Sequence, residues 1–351
     1  MKKILTILPI LAATFLLSGC SFSNPVAKKV NDTIANTSFM RSDDGATSWN
    51  PKNRISDSKL ISGIDVLSMA VNPVDPNIIY VGTPSSGLFM TKDAGETWAQ
   101  VAFADKAYGL VFDSQNPNVM YGSGVFKGRA KIYKRMQEGE EWKEIYTEPA
   151  DGTTISTIAI DKFNSQIIFA GTSEGVIIKS TDGGKTWVNL KKADGPITSI
   201  GFDNSSSAHI YFCVFQTGVL ETRDGGKTIE DITKNIDPIG NTSTIYTLVA
   251  DPYYPGVAYV GTASGIFRRA ADGNWSTENI IESSKSFPIR SIAINPKNSK
   301  EIIYSSAKAI YKSIDSGAKW ATYQLDTSKE ISILKYNTAD ASKIYAGFRK
   351  F

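Results

Sequence analysis

Ser180-Thr181-Asp182-Gly183-Gly184-Lys185-Thr186-Trp187 is the stretch whose reading decides the fold. Asp followed by Gly-Gly is turn chemistry: the carboxylate accepts from turn amides and Gly supplies a φ > 0 position. Ser and Thr hydroxyls close the loop, and the Trp enters the next strand with a large surface to bury. The pattern Ser/Thr-x-Asp-x-Gly-x-Thr-Trp returns at Thr91–Trp98, Thr222–Ile229 and Ser313–Trp320. Degenerate copies lie at Ser42–Trp49 and Arg135–Trp142, and the copy ending at Trp275 keeps only Asp272-Gly273.

The six tryptophans, Trp49, Trp98, Trp142, Trp187, Trp275 and Trp320, are separated by 49, 44, 45, 88 and 45 residues. Ile229 divides the long gap into 42 and 46. A second marker runs in phase: a strand ending in Asp or Asn, a turn, then a strand ending near Tyr-x-Gly. It is clearest in Met69-Ala70-Val71-Asn72-Pro73, Asp75-Pro76-Asn77 and Ile78-Ile79-Tyr80-Val81-Gly82-Thr83. Six further copies are anchored at Asp113, Asp161, Asp203, Asp251, Asn295 and Asn337. Their second strands carry Tyr121, Phe169, Tyr211, Tyr259, Tyr304 and Tyr345. β-Branched and aromatic residues flank each turn. A period of about 45 residues built of short strands predicts an all-β, seven-bladed β-propeller of four-stranded antiparallel blades.

For one blade the strands A to D are expected near Ser156–Ile160, Ile167–Gly171, Val176–Ser180 and Thr186–Asn189. The chain opens on an aspartate loop and ends on strands at Ile331–Tyr336 and Lys343–Phe348. The last blade is therefore expected to join A and B from the C-terminal end with C and D from residues 38–50, which removes open sheet edges.

One full form and three close copies of the loop make it resemble the Asp-box, or BNR repeat, of sialidases and related propellers, from about residue 38 onward. The resemblance gives Asp44, Asp93, Asp182, Asp224 and Asp315, with Trp49, Trp98, Trp187 and Trp320, a structural role. Each loop offers one carboxylate, too few for a calcium site, so no metal and no cofactor is expected. Sialidases hold their substrate with three arginines and use a Tyr–Glu pair plus an Asp. Most of the nine arginines here fall in loops or C strands, so that resemblance stops at the fold. Xyloglucanases of this type place their carboxylates between two seven-bladed propellers, whose Asn-Pro strand pairs look like these. Carboxylates expected on the variable face are Asp105, Glu148, Asp151, Asp194, Glu282, Asp326 and Glu330. His209 is the only histidine and lies at the start of a B strand, which argues against Ser–His–Asp catalysis.

The N-terminus reads as a secretion signal, with Lys2 and Lys3 before a short apolar run, Ile4 to Leu17, interrupted by Pro9. Leu17-Ser18-Gly19-Cys20 resembles the bacterial lipobox, which implies cleavage before Cys20 and its acylation. The expected organisation is a signal peptide (1–19), a lipidated Cys with a polar tether (20–37) and a propeller (38–351). Cys213, in an apolar strand, is then a lone buried thiol with no disulfide partner. Net charge is +3 for the full chain. Removing residues 1–19 takes away two lysines and no acid, which leaves no electrostatic footprint for nucleic acid. A monomer is expected outside the cytoplasm, periplasmic or at the cell surface, held to a membrane by its lipid.

A–B turns and aspartate loops share one face, so function is expected on the other, where D–A and B–C connections vary. The longer D–A connections are near 51–64, 146–154, 231–244 and 277–288. Lys127 and Arg129 belong to the B–C segment of the second blade. Counting five residues back from each anchor gives a ring at the channel mouth: Leu67, Tyr108, Ser156, Thr198, Tyr246, Arg290 and Ser332. Tyr108, Tyr246 and Arg290 are its irregular members, read either as ligand contacts or as packing between blades. The lipobox with a seven-bladed propeller also resembles photosystem II assembly factors of the Ycf48/HCF136 type, and luminal sortilin-like propellers point the same way. These resemblances imply a binding or assembly module for a protein, peptide or glycan; the alternative is a glycoside hydrolase, sialidase-like or xyloglucanase-like.

Replacing Cys20 by Ala is expected to move the protein from the membrane to the soluble fraction. Membrane association that survives the substitution rules out the lipid anchor.

Overall fold

The computed structural model describes residues 35–56, 59–236, 239, 244–263, 265–281 and 286–351. Residues 1–34, with the expected signal peptide and Cys20, and Glu282 lie outside them. Seven four-stranded antiparallel sheets follow one another around the chain. Blade 3 is typical: Ile155–Ile160, Ile168–Thr172, Val176–Ser180 and Val188–Lys192 are strands A to D, close to the ranges expected. The D strand begins just after Trp187 rather than at Thr186. Blade 7 joins Glu330–Tyr336 (A) and Ile344–Arg349 (B) to Phe39–Ser42 (C) and Asn50–Pro51 (D). Four pairs, Phe39 to Gly347 through Ser42 to Ile344, close the ring as the repeat phase requires.

The seven anchors all make the same turn. In each, the side-chain oxygen accepts from the backbone N–H two residues on, at 2.8–2.9 Å from Asn72 through Asn337. All seven anchors are buried. The aromatic residue of each B strand is buried as well, none more than 3% exposed, and forms the core between blades. The glycine two residues later is there because of the next blade. A Cβ on Gly171 would lie 2.4 Å from Ile197, and one on Gly82 2.7 Å from the Ala107 carbonyl. Blade 2 carries Ser123 there instead, and in blade 6 Ser305, one residue after Tyr304, takes the same register position opposite strand A; their hydroxyls donate to the next blade at Ile155 O (2.6 Å) and Ile331 O (3.3 Å). Cys213 occupies the same place in blade 4; it is a free, fully buried thiol, pushed up to about 12 by desolvation.

Each aspartate loop is saturated from within. In the loop of Asp182, Ser180 Oγ donates to Oδ1 (2.8 Å), Thr186 N donates to Oδ1 (2.9 Å) and Thr186 Oγ1 to Oδ2 (2.6 Å). Asp44, Asp93 and Asp224 repeat this network, and Asp315 repeats it without the last bond because Lys319 replaces the Thr. One expectation needs correction. Two consecutive residues after each Asp are left-handed, not one: φ is 72° and 93° at Gly183 and Gly184, and 57° and 96° at Ala94 and Gly95.

The tryptophans pack against these loops. The Trp98 indole, 3% exposed, meets Phe39 edge-on at 4.9 Å and donates to Lys52 O of the neighbouring blade (2.7 Å). A repeated latch also joins blades. A basic residue at the end of strand C reaches the carbonyl after the Asp in the next loop: Arg41 to Ala94 (2.9 Å), Lys134 to Gly183 (3.4 Å), Lys179 to Gly225 (2.7 Å) and Lys312 to Gly45 (2.9 Å). The 51–64 connection holds a small hairpin, Arg54–Ser56 with Lys59–Leu60. The hydroxyl of Ser38, fully buried, shares its one proton between two carbonyls in reach, Ile61 O (2.7 Å) and Ile64 O (2.5 Å).

Trp98→Ala is expected to destabilise by about 3–5 kcal/mol, measured by denaturant unfolding. The Asp182 and Asp224 carboxyls are held down at about 2, Asp182 chiefly by the Thr186 hydroxyl and Asp224 by the Thr228 amide, below the ordinary 3.8. A depressed carboxyl stabilises the fold above its unfolded pKa and loses that contribution as pH falls through the folded value. Melting temperature is therefore expected to drop between pH 4 and pH 2, and Asp224→Asn to flatten that limb; an unchanged acid limb in the variant contradicts the assignment.

Candidate functional site: the channel mouth

Strand A is innermost in every blade, and its first residues surround the axis. In five blades one residue of strand A has no partner in register with strand B: Ser156, Thr198, Tyr246, Arg290 and Ser332. In blade 2, Tyr108 and Gly109 face the single Ser123. These are β-bulges, and a bulge re-aims the side chain it carries. The bulged positions are the ring predicted from the anchors. All seven members of that ring line one cavity of about 590 Å³.

Serines fasten the ring. Ser156 Oγ donates to Ile197 O (2.5 Å), Ser332 Oγ to Val66 O (2.9 Å) and Ser199 Oγ to Leu248 O (2.9 Å), each crossing to the next blade. Tyr246, Arg290 and their neighbours form a stacked group. The Arg290 guanidinium lies 5.0 Å from the Tyr246 ring and 3.7 Å from the Phe351 ring, and its Nε is 3.2 Å from Glu330 Oε2. Phe215 meets Tyr246 edge-on at 5.5 Å. Tyr108 stands across the mouth. Desolvation pushes its phenol up, partly offset by the positive charge of Arg349.

Lys127 and Arg129 do not join this group, and neither lines the cavity. Lys127 (φ 51°) and Gly128 (φ 81°) form the tight turn from strand B to strand C of blade 2. Arg129 is spent on the following D–A connection, donating to Glu148 O (2.9 Å) and Pro149 O (2.5 Å), with Asp151 at 3.4 Å.

Two cations that counting from the anchors passed over do line the mouth: Arg349, at the end of strand B of blade 7, and Lys335. The signal for Lys335 was present. Two residues before each anchor the chain reads Ala70, Val111, Ala159, Gly201, Val249, Ala293 and Lys335, so one ammonium stands in a ring of small apolar residues. The cavity lining contains Arg290, Lys335 and Arg349, several Ser and Thr hydroxyls, and no Asp or Glu.

His209 lies on the opposite face in a buried network, with Nε2 2.7 Å from Glu221 Oε1 and Nδ1 3.5 Å from Asp203 Oδ2; Arg269 is 3.3 Å from Glu221. A second groove, about 730 Å³ and outside the ring, runs between blades 1 and 2 along Phe103, Tyr133, Trp142, Glu138 and Glu144. Glu144 is engaged by Lys131 and Glu138 by Lys92.

No protein-family model matches the chain. A xyloglucanase of Paenibacillus sp is 25% identical over 313 residues, 73% of this chain and 30% of that protein. An oligoxyloglucan-reducing end-specific xyloglucanase of Emericella nidulans is 26% identical over 136 residues, 36% of this chain and 16% of that protein. The chain thus spans less than a third of the length of these curated relatives. Among solved structures, a GH74 enzyme of Niastella koreensis matches with a TM-score of 0.67 at 18% identity, over 81% of this chain and 51% of that one. YCF48 bound to D1 peptide matches with a TM-score of 0.62 at 15% identity, over 85% of this chain and 100% of that one. These likenesses show a shared seven-bladed propeller.

Arg349→Ala is expected to raise the Tyr108 phenol further above its ordinary 10, because the offsetting charge is gone. Spectrophotometric titration with Tyr108→Phe as the reference reads this directly; an unchanged curve means Arg349 does not face Tyr108.

Proposed function

We propose that this chain is an extracytoplasmic binding module, tethered to a membrane through an acylated Cys20, that presents the channel mouth of an Asp-box propeller to a protein, peptide or glycan. One observation carries the reading: the lining of the mouth combines aromatic rings, hydroxyls and three cations with no carboxylate. Glycoside hydrolysis by the usual route needs two carboxyl groups flanking the scissile bond, about 5–10 Å apart. The nearest acid, Glu330, is held by Arg290 at 3.2 Å. Aromatic faces beside fixed polar groups suit recognition rather than acid–base chemistry.

The hydrolase reading draws on the xyloglucanase-like sequences and folds. It requires an acid pair that the mouth does not offer among the described residues. The loop aspartates cannot supply it, because each carboxylate is already saturated by its own turn.

The test compares binding with turnover. The protein is offered xyloglucan oligosaccharides and peptide and glycan libraries, with Tyr108→Ala and Tyr246→Ala as controls. Capture that weakens by about tenfold in either variant, without release of reducing ends, is the expected result. Reducing ends released by the wild type and lost on substitution of one Asp or Glu overturns the binding reading.

A further inference from the structure

Lys335 lines the central cavity. It follows Ser332 along strand A of blade 7, so its Cα lies about 10 Å down the channel from the bulged ring. Its side chain is exposed to the channel, yet protein surrounds it on every side of the ring, and burial pushes its ammonium pKa down. No carboxylate lies within ion-pair distance of it among the described residues, and no hydrogen bond engages Nζ. Three other buried or half-buried lysines end on partners: Lys329 on Asp65 (3.3 Å) and Ile64 O (2.7 Å), Lys312 on Glu301 (2.8 Å) and Lys179 on Gly225 O.

Arg349 is the second cation of the lining without a carboxylate in ion-pair range among the described residues. Its guanidinium stacks 5.0 Å from Phe351. Arg290, by contrast, already has Glu330. The mouth therefore holds two uncompensated positive charges, flanked by hydroxyls of Ser68, Thr198 and Thr247 and by the Tyr108 ring. An unpaired charge in a confined site costs stability, and a methionine or leucine would fill the Lys335 position without that cost. Lys335 and Arg349 thus place positive charge at two depths of one hydroxyl-lined cavity: the ammonium can bind an anionic oxygen as a point charge, and the guanidinium at the mouth adds to the positive potential along the way in.

We propose that the channel is an oxyanion site in which Lys335 takes a carboxylate or phosphate group, with Arg349 at the mouth drawing it in and Arg290 ordering the stacked rim. This deepens the binding reading and rests on it, since it names the group by which a ligand enters the mouth.

The full chain in detergent, reductively methylated with 13C-formaldehyde, gives dimethylammonium resonances, and Lys335→Met identifies the one in the channel. Sodium acetate and inorganic phosphate are titrated separately at constant ionic strength. The expected result is a saturable shift of the Lys335 resonance with at least one anion, weakened by about threefold in Arg349→Ala, as for loss of a nearby positive charge that does not touch the anion. Saturation by acetate alone assigns a carboxylate, and by phosphate alone a phosphate. A shift linear in anion concentration, like that of the surface lysines, overturns the proposal for both.

Thermal melts give an independent reading. Lys335→Met is expected to melt at or above the wild-type temperature in anion-free buffer and to lose the stabilisation that the bound anion gives the wild type. A variant that melts lower in both buffers means Lys335 is a structural residue, and the proposal falls. Ligand capture at the mouth that survives while the anion response is absent sinks this inference and leaves the binding reading standing.

Discussion

Four backbone pairs between Phe39–Ser42 and Ile344–Arg349 hold the ring shut. Each blade buries its faces only on its neighbours, so an open array would leave two blades half solvated and two sheet edges bare. Closure puts seven A strands around one axis. Only then do Tyr108, Tyr246 and Arg290, separated by long stretches of sequence, line one cavity. The mouth is a product of the closure and not of any single blade.

The repeated residues are consumed in making that ring. Each loop carboxylate accepts from its own hydroxyls and amides, and each loop carbonyl receives a lysine or arginine from the preceding blade in four of the seven joints. A group so engaged is fixed in its own turn and is poorly placed to meet a ligand. The contrast with Lys335 is chemical: the latch lysines end on a carbonyl, and the channel lysine ends in the open cavity with no partner among the described residues.

Much of this was legible in the chain. Blade number, closure and the bulged ring follow from the phase of two markers, because each marker is a turn whose geometry local chemistry dictates. Counting five residues back from Asp113 or Asp251 reaches the mouth because strand length is nearly constant. Lys335 and Arg349 were passed over for different reasons. Lys335 stands in a position whose other occupants are small, and only the assembled ring reveals that a long side chain there reaches open space. Arg349 belongs to a B strand, which a rule based on A strands does not examine. The blade-to-blade bonds of Ser123, Ser156 and Ser332 were illegible because a serine in a strand carries no mark of the carbonyl it will meet. Lys127 and Arg129 read as free cations in a variable segment, but Arg129 is spent on carbonyls nearby in sequence.

The closing strand has a mechanical side. Phe39 is paired beside Gly347, at the end of blade 7 nearest the mouth, and the chain before it leaves on that side, where Ser38 is pinned to Ile61 and Ile64. A pull on this segment, resisted by the body of the ring, runs along the strand and loads the four pairs in parallel rather than peeling them one by one. Shear of this kind is the geometry in which a short β ladder withstands the most force. The closing ladder of the one discontinuous blade thus meets a pull from the mouth side in shear.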